Sequence, residues 1–151
     1  GSLLVPRSPS AAVVLLFWRW RRGPASRLNV SAGVQPTDRI RALGATTVAL
    51  MPAVRACTLK FKSDTGAPFP VLTDLDNGYA LSLNLAIWLG VEIQELLSHQ
   101  DMASFQGYDG WMLPIPATFV VGRDGLVKAR FVDPDFRRRM DIDDLLAALA
   151  S

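Results

Sequence analysis

The residues of this chain best placed for chemistry follow a strongly apolar strand, Ala12 to Trp18. They read Phe17-Trp18-Arg19-Trp20-Arg21-Arg22-Gly23-Pro24-Ala25-Ser26. A strand that runs into a turn and then a helix delivers a nucleophile to a helix N-terminus. There the unpaired N–H groups and the macrodipole lower the pKa of a thiol. In this turn there is no sulfur. Ser26 is no substitute, because its hydroxyl is hardly ionised at neutral pH and no base is evident beside it. Gly23 has no side chain at all.

The one cysteine of the chain is Cys57. It falls early in the second helix, after Pro52 and close to Arg55, and a positive neighbour at a helix N-terminus would favour its thiolate. Against that, free cysteine usually packs as a small hydrophobe. Arg19, Arg21, Arg22 and Arg27, interleaved with Trp18 and Trp20, could bind an anion or stack on bases, but they match no nucleic-acid module. A solvated loop with local ion pairs explains them as well. Arg137 to Arg139 follow Asp133 and Asp135, so pairing within the segment accounts for them. Arg130, on the last strand, is a further candidate binding residue. His99 alone makes neither a metal site nor a triad. Asp74, Asp76 and Asp109 lack the spacing of an acid–base pair. Trp88 and Trp111 read as core packing in an apolar insert.

Composition narrows the class. At 151 residues, half hydrophobic and one fifth charged, the chain has the make-up of one soluble globular domain with a sizeable core. A net charge of +2 does not call for a nucleic-acid or membrane partner. A lone thiol excludes an internal disulfide and a cysteine-cluster metal site, and it suits a reducing cytoplasm. The apolar run from Ala11 to Trp18 is far shorter than the roughly 20 residues a transmembrane helix needs. It also lacks a signal-peptide cleavage pattern. Residues 1–10 read as an N-terminal extension, in which Leu4-Val5-Pro6-Arg7 is close to a protease-tag remnant. The domain proper is expected over residues 11–151. No cofactor is implied.

The elements that must position these residues follow from apolar patterning. Val13–Phe17 is a short, continuously apolar run, as in a central strand covered on both faces. Residues 26–43 form a broken or kinked helical stretch, ending on Gly44. Thr46–Met51 is a second buried strand. Ala53–Thr65 is a helix stopped by Gly66 and Pro68. Phe69–Asp74 is a short edge strand. Asp76-Asn77 is expected to cap a helix from Gly78 to about Leu89, with a second helix from Val91 to about Phe105. Gln106–Gly110 is a loop. Thr118–Val121 and Leu126–Val132 make a hairpin through Gly122-Arg123-Asp124-Gly125. An amphipathic helix closes the chain from Asp141 to Leu149. These elements predict an α/β fold: a three-layer α/β/α sandwich around a mixed central sheet, with parallel units first and an antiparallel hairpin last.

That order is similar to the thioredoxin-like arrangement, and several stretches sharpen the likeness. They are Ile40-Arg41-Ala42-Leu43-Gly44-Ala45, Phe69-Pro70-Val71-Leu72-Thr73-Asp74, Leu113-Pro114-Ile115-Pro116-Ala117-Thr118-Phe119-Val120 and Phe131-Val132-Asp133-Pro134-Asp135-Phe136. Taken in this order, from Ala12 to Leu149, the chain resembles the peroxiredoxin-like branch of the alkyl hydroperoxide reductase/thiol-specific antioxidant (AhpC/TSA) family. The resemblance implies a Cys-Pro-x-Cys run after the first strand. With Pro24 on the family proline, the two cysteine positions fall on Gly23 and Ser26. A register with Gly-Pro between the cysteines puts them at Arg22 and Ala25. Neither register meets sulfur. The resemblance also implies a cis-proline at Pro116 facing the active-site turn, a trans proline opening the strand being the alternative, and a buried arginine at Arg130 facing the same region.

Three functional expectations result. One is a redoxin-type protein whose CxxC site is degenerate at Gly23 and Ser26. It would bind a protein partner at the former active-site face through Trp20, Arg22, Pro24 and Pro116. Another is a single-cysteine thiol peroxidase or oxidoreductase using Cys57. The third is an interaction module whose Trp/Arg loop meets an acidic partner. A homodimer is compatible with each.

Overall fold

The computed structural model describes residues 11–18, 36–98, 111–135 and 138–151. Its centre is β1 (Ala12–Phe17), whose register explains the apolar run. Ala12, Val14, Leu16 and Trp18 enter one core cluster, whereas Leu15 and Phe17 enter another on the opposite face. Alternation along a strand requires this split, and burial on both faces requires both sets to be apolar.

β1 pairs parallel with β2 (Ala45–Met51) and antiparallel with β6 (Ala117–Val121). β2 pairs parallel with β3 (Val71–Thr73), and β6 pairs antiparallel with β7 (Val127–Val132). The sheet is therefore mixed and five-stranded, in the order β3-β2-β1-β6-β7. On one face lie α1 (Thr37–Ala42), α2 (Arg55–Thr65) and α5 (Ile142–Ala150), which supply Ile40, Phe61 and Leu145 to the first cluster. On the other face α3 (Gly78–Ser82) supplies Tyr79 and Ala80 to the second. Helices thus cover both faces, as the sequence predicts.

The boundaries follow local chemistry. Gly44 (φ 71°) and Gly66 (φ 64°) close α1 and α2 in the left-handed region, where a Cβ is costly. Asp141 caps α5, its carboxylate accepting from the N–H groups of Asp143 (2.8 Å) and Asp144 (3.3 Å).

The segment from 74 to 97 departs from expectation. Asn77 holds the N-cap position of α3, as expected, but it and Asp76 lie in the left-handed region (φ 52° and 58°), and the carboxylate that accepts from the first-turn amides is that of Asp74. The helix stops at Ser82, and Asn84 (φ 56°) turns the chain into β4 (Ala86–Trp88). β4 pairs antiparallel with β5 (Met112–Pro114) to form a separate two-stranded sheet. Its packing is modest: Leu89 and Leu113 are buried with Trp111 against them. Trp111 packs as expected, but Trp88 is exposed and is not a core residue. The next helix, α4 (Val91–Leu97), leaves Ile93 and Leu96 in solvent instead of burying them. The continuation expected to Phe105, the Gln106–Gly110 loop and His99 lie outside the described residues. Among the described residues no helix is long and apolar enough to cross a membrane.

Candidate functional site

The carboxyl ends of the parallel strands β1, β2 and β3 converge at one edge of the sheet. Such an edge is where open α/β folds place ligands. β1 finishes there at Phe17-Trp18. The segment that follows, with Trp20, Arg22, Gly23, Pro24 and Ser26, lies outside the described residues. What surrounds its point of departure is described.

Trp18 anchors that point. Its backbone N–H donates to the carbonyl of Leu50 at 2.9 Å, extending the β1–β2 ladder by one residue. Its ring packs edge-on against Phe61 (centroids 5.6 Å apart) and tilted against Phe69 (5.8 Å). The indole Nε1 is buried and finds no hydrogen-bond partner among the described residues. On the opposite face Phe17 stacks on Tyr79 (5.8 Å) and meets Phe119 edge-on (5.9 Å). The last two residues before the segment are thus held by four aromatic rings, a rigid base for whatever follows.

Asp74 completes the base of the site. It is buried at the end of β3, and its two carboxylate oxygens accept from the backbone N–H groups of Tyr79 (2.8 Å) and Ala80 (2.9 Å). Those donors are the first-turn amides of α3, which no other side chain caps. Burial, and then the charge of Asp74, push the Tyr79 phenol above its ordinary pKa, so Tyr79 stays neutral against Phe17. From the sequence, Asp74 is weighed only as half of an acid–base pair and Tyr79 is not singled out. The signal available was Asp74 five residues before an aromatic in an otherwise apolar run.

Pro116 is where the sequence puts it, but its geometry differs. Phe17 pairs with Ala117, so Pro116 lies beside Trp18 at the mouth of the segment. The described residues contain no cis peptide bond, and the Ile115–Pro116 bond is trans. The expected cis-proline is therefore corrected. The physical reason is continuity: only Ile115 and Pro116 separate β5 from β6, and a trans bond keeps the chain extended between them. The backbone groups on each side are used, Ile115 N–H donating to Leu85 O and Pro116 O accepting from Asp133 N–H (3.3 Å).

Cys57 stands in the first turn of α2, as its sequence position predicts. It is half-buried and packs against the core cluster that contains Trp18 and Met51. That first turn has neither a capping side chain nor an acidic residue. One residue along, Thr58 ties the helix to β3 through a 2.9 Å contact between its hydroxyl and that of Thr73. Arg130 is not buried: it is exposed on the edge strand β7, opposite Phe119. Arg138 pairs with Asp133 (3.6 Å), the local pairing expected of the arginine run, while Arg137 lies outside the described residues. A cavity of about 570 Å³ at the far end of β1, lined by Ala12, Leu43, Arg123, Lys128 and Leu149, belongs to none of this.

Comparison with known proteins fits this architecture. The family model described as the AhpC/TSA family matches residues 8–130. No curated protein sequence matches the chain significantly. Among solved structures, AhpC of Mycobacterium tuberculosis superimposes with a TM-score of 0.67 at 15% identity, covering 97% of this chain and 71% of that one. Peroxidoxin BcpB from the same organism gives 0.66 at 17% identity, covering 92% and 78%. A mutant of peroxiredoxin 6 of Arenicola marina gives 0.65 at 16% identity, covering 93% of this chain. The chain spans only 60% of that peroxiredoxin's length. At such identities the likeness establishes the thioredoxin-like fold, and the family model establishes kinship. The chain belongs to the AhpC/TSA family.

Proposed function

We propose that this protein is a redoxin-type member of its family whose thiol site is degenerate, so that it lacks ordinary thiol peroxidase activity. The observation that carries the reading is the address of the only sulfur nucleophile. Cys57 sits on α2, after β2, packed against the core, and the segment after β1 contains no cysteine. Peroxide reduction by a thiol needs a thiolate to attack the O–O bond and become a sulfenic acid, which a second thiol then resolves. Gly23 and Ser26 supply neither. What remains is an aromatic base at the end of β1 followed in sequence by a cationic, tryptophan-bearing segment, and Trp20, Arg22, Pro24 and Pro116 are the residues we assign to a protein partner. A lone thiol without a disulfide fits a reducing compartment such as the cytoplasm.

One observation favours a second reading, a single-cysteine peroxidase. The first turn of α2, which holds Cys57, has no capping side chain and no acidic residue, so no carboxylate of that turn competes for its N–H groups. Hydrogen peroxide consumption with a dithiol reductant separates the two. The degenerate reading expects the unmodified chain and Cys57→Ser to match the protein-free rate. Turnover that disappears in Cys57→Ser establishes the enzyme. For the binding face, affinity for an acidic partner falls with salt and on Arg22→Ala; pull-downs that recover nothing at low salt remove it.

A further inference from the structure

We propose that α4 and the end of β4 form a docking surface for a cationic, apolar-faced segment of another protein. The helix is unusually bare. Leu96 is 75% exposed, Val91 61% and Ile93 47%, and Trp88, three residues before the helix, is 62% exposed. Ile93 and Leu96 are three apart and share one side of the helix, flanked by Glu92; Glu95 lies next to Val91 on the adjoining side. Gln94 alone is described as half-buried, and its side-chain amide donates to Leu89 O at 2.6 Å, which fixes the side that faces the protein. An apolar stripe of this kind, left in solvent, marks an interaction site more often than a scattered leucine does.

Charge selects the occupant. From residue 63 to residue 122 the chain has no lysine or arginine, against seven aspartates and glutamates. All 16 basic residues lie outside that block. Within the surface, Glu92 and Glu95 have no ion-pair partner among the described residues. A second copy docked face to face would set these carboxylates against their own equivalents, and an anionic lipid surface or a nucleic acid would be repelled. A segment with apolar residues on one side and lysine or arginine beside them satisfies both features: its apolar side covers Ile93, Leu96 and Trp88, and its cations meet Glu92 and Glu95. No part of this surface uses Cys57 or the residues after β1.

The test uses the whole chain, a labelled synthetic amphipathic Leu/Lys helix, and a Leu/Glu helix of the same pattern, with binding read by fluorescence anisotropy. The Leu/Lys helix is expected to bind at least about tenfold more tightly than the Leu/Glu helix, a difference that weakens with salt. The Leu96→Ser and Trp88→Ala variants, both at exposed positions that should not disturb folding, are expected to lose that binding. The double variant Glu92→Lys/Glu95→Lys is expected to reverse the preference. Equal affinity for the two helices, affinity untouched by these variants, or no binding to either overturns the proposal. So does sedimentation as a dimer that Leu96→Ser dissociates, since the occupant would then be a second copy.

Discussion

At the scale of single residues, Asp74 and Tyr79 decide how firmly the mouth of the site is held. The Asp74 carboxylate serves two amides at the start of α3, one of them fully buried. Asp74→Ala leaves both without a partner, and each orphaned buried N–H costs about 1–3 kcal/mol. The expected outcome is a clear drop in the urea midpoint, with Asp74→Asn falling between the variant and the unmodified chain. Tyr79 makes a prediction about pH. Burial first, and the Asp74 charge second, raise its pKa above 10.0. The folded state therefore holds its phenolic proton longer than the unfolded state does. That contribution to stability is complete below about pH 10 and is lost as pH rises through the raised value. Spectrophotometric titration should show one of the two tyrosines ionising late, and Tyr79→Phe should remove that component. If both tyrosines ionise together near 10, the burial of the Tyr79 ring is not as described.

At the scale of elements, the α5 cap offers a clean test. Asp141→Ala removes the acceptor for two first-turn amides and should cost about 0.5–2 kcal/mol without altering the sheet, read as a lower Tm with unchanged native circular dichroism. The acidic start of this helix was legible in the sequence, as were β1, β2, β6 and β7. β1 is a continuous apolar run, β2 and β6 are rich in apolar and β-branched residues, and β7 is marked by the hairpin turn before it. Glycines with positive φ mark two boundaries, Gly44 before β2 and Gly125 in the hairpin. Residues 74–97 were not legible, and the reasons are physical. Asn77 takes the N-cap position that its type predicts, but the left-handed backbone at Asp76 and Asn77 leaves the capping hydrogen bonds to Asp74, three residues earlier. The run Leu81-Ser82-Leu83-Asn84-Leu85-Ala86-Ile87-Trp88 reads equally as helix or strand by periodicity, and Asn84 at φ 56° breaks it. β4 and β5, three residues each, are too short to stand out from such a run. The same segment holds the exposed apolar helix, which its leucine pattern marks as core. In the site, the adjacency of Pro116 to the end of β1 was readable from strand order. Its trans peptide bond was not, because it depends on the two-residue link from β5, a strand the pattern concealed.

For the whole molecule, the two core clusters meet across β1, and Phe17 is the residue whose loss both the fold and the site would feel. It is 2% exposed and joins Tyr79 of α3 to Phe119 of β6. Phe17→Ala should destabilise by about 3–5 kcal/mol, a large part of the stability of an ordinary domain. Guanidinium unfolding that shifts by less than about 1 kcal/mol would contradict the packing described here. The sheet, its helices on both faces and the family match together describe a redoxin framework. Its one cysteine stands on α2 and is not part of the segment that follows β1. The most direct test of the claim that this framework persists without its chemistry is insulin-disulfide reduction by the chain and by Gly23→Cys/Ser26→Cys, side by side with both shown to be folded. The account predicts no reduction by the unmodified chain and measurable dithiol exchange by the double variant. Reduction by the unmodified chain, or a folded double variant that stays inert, would contradict it.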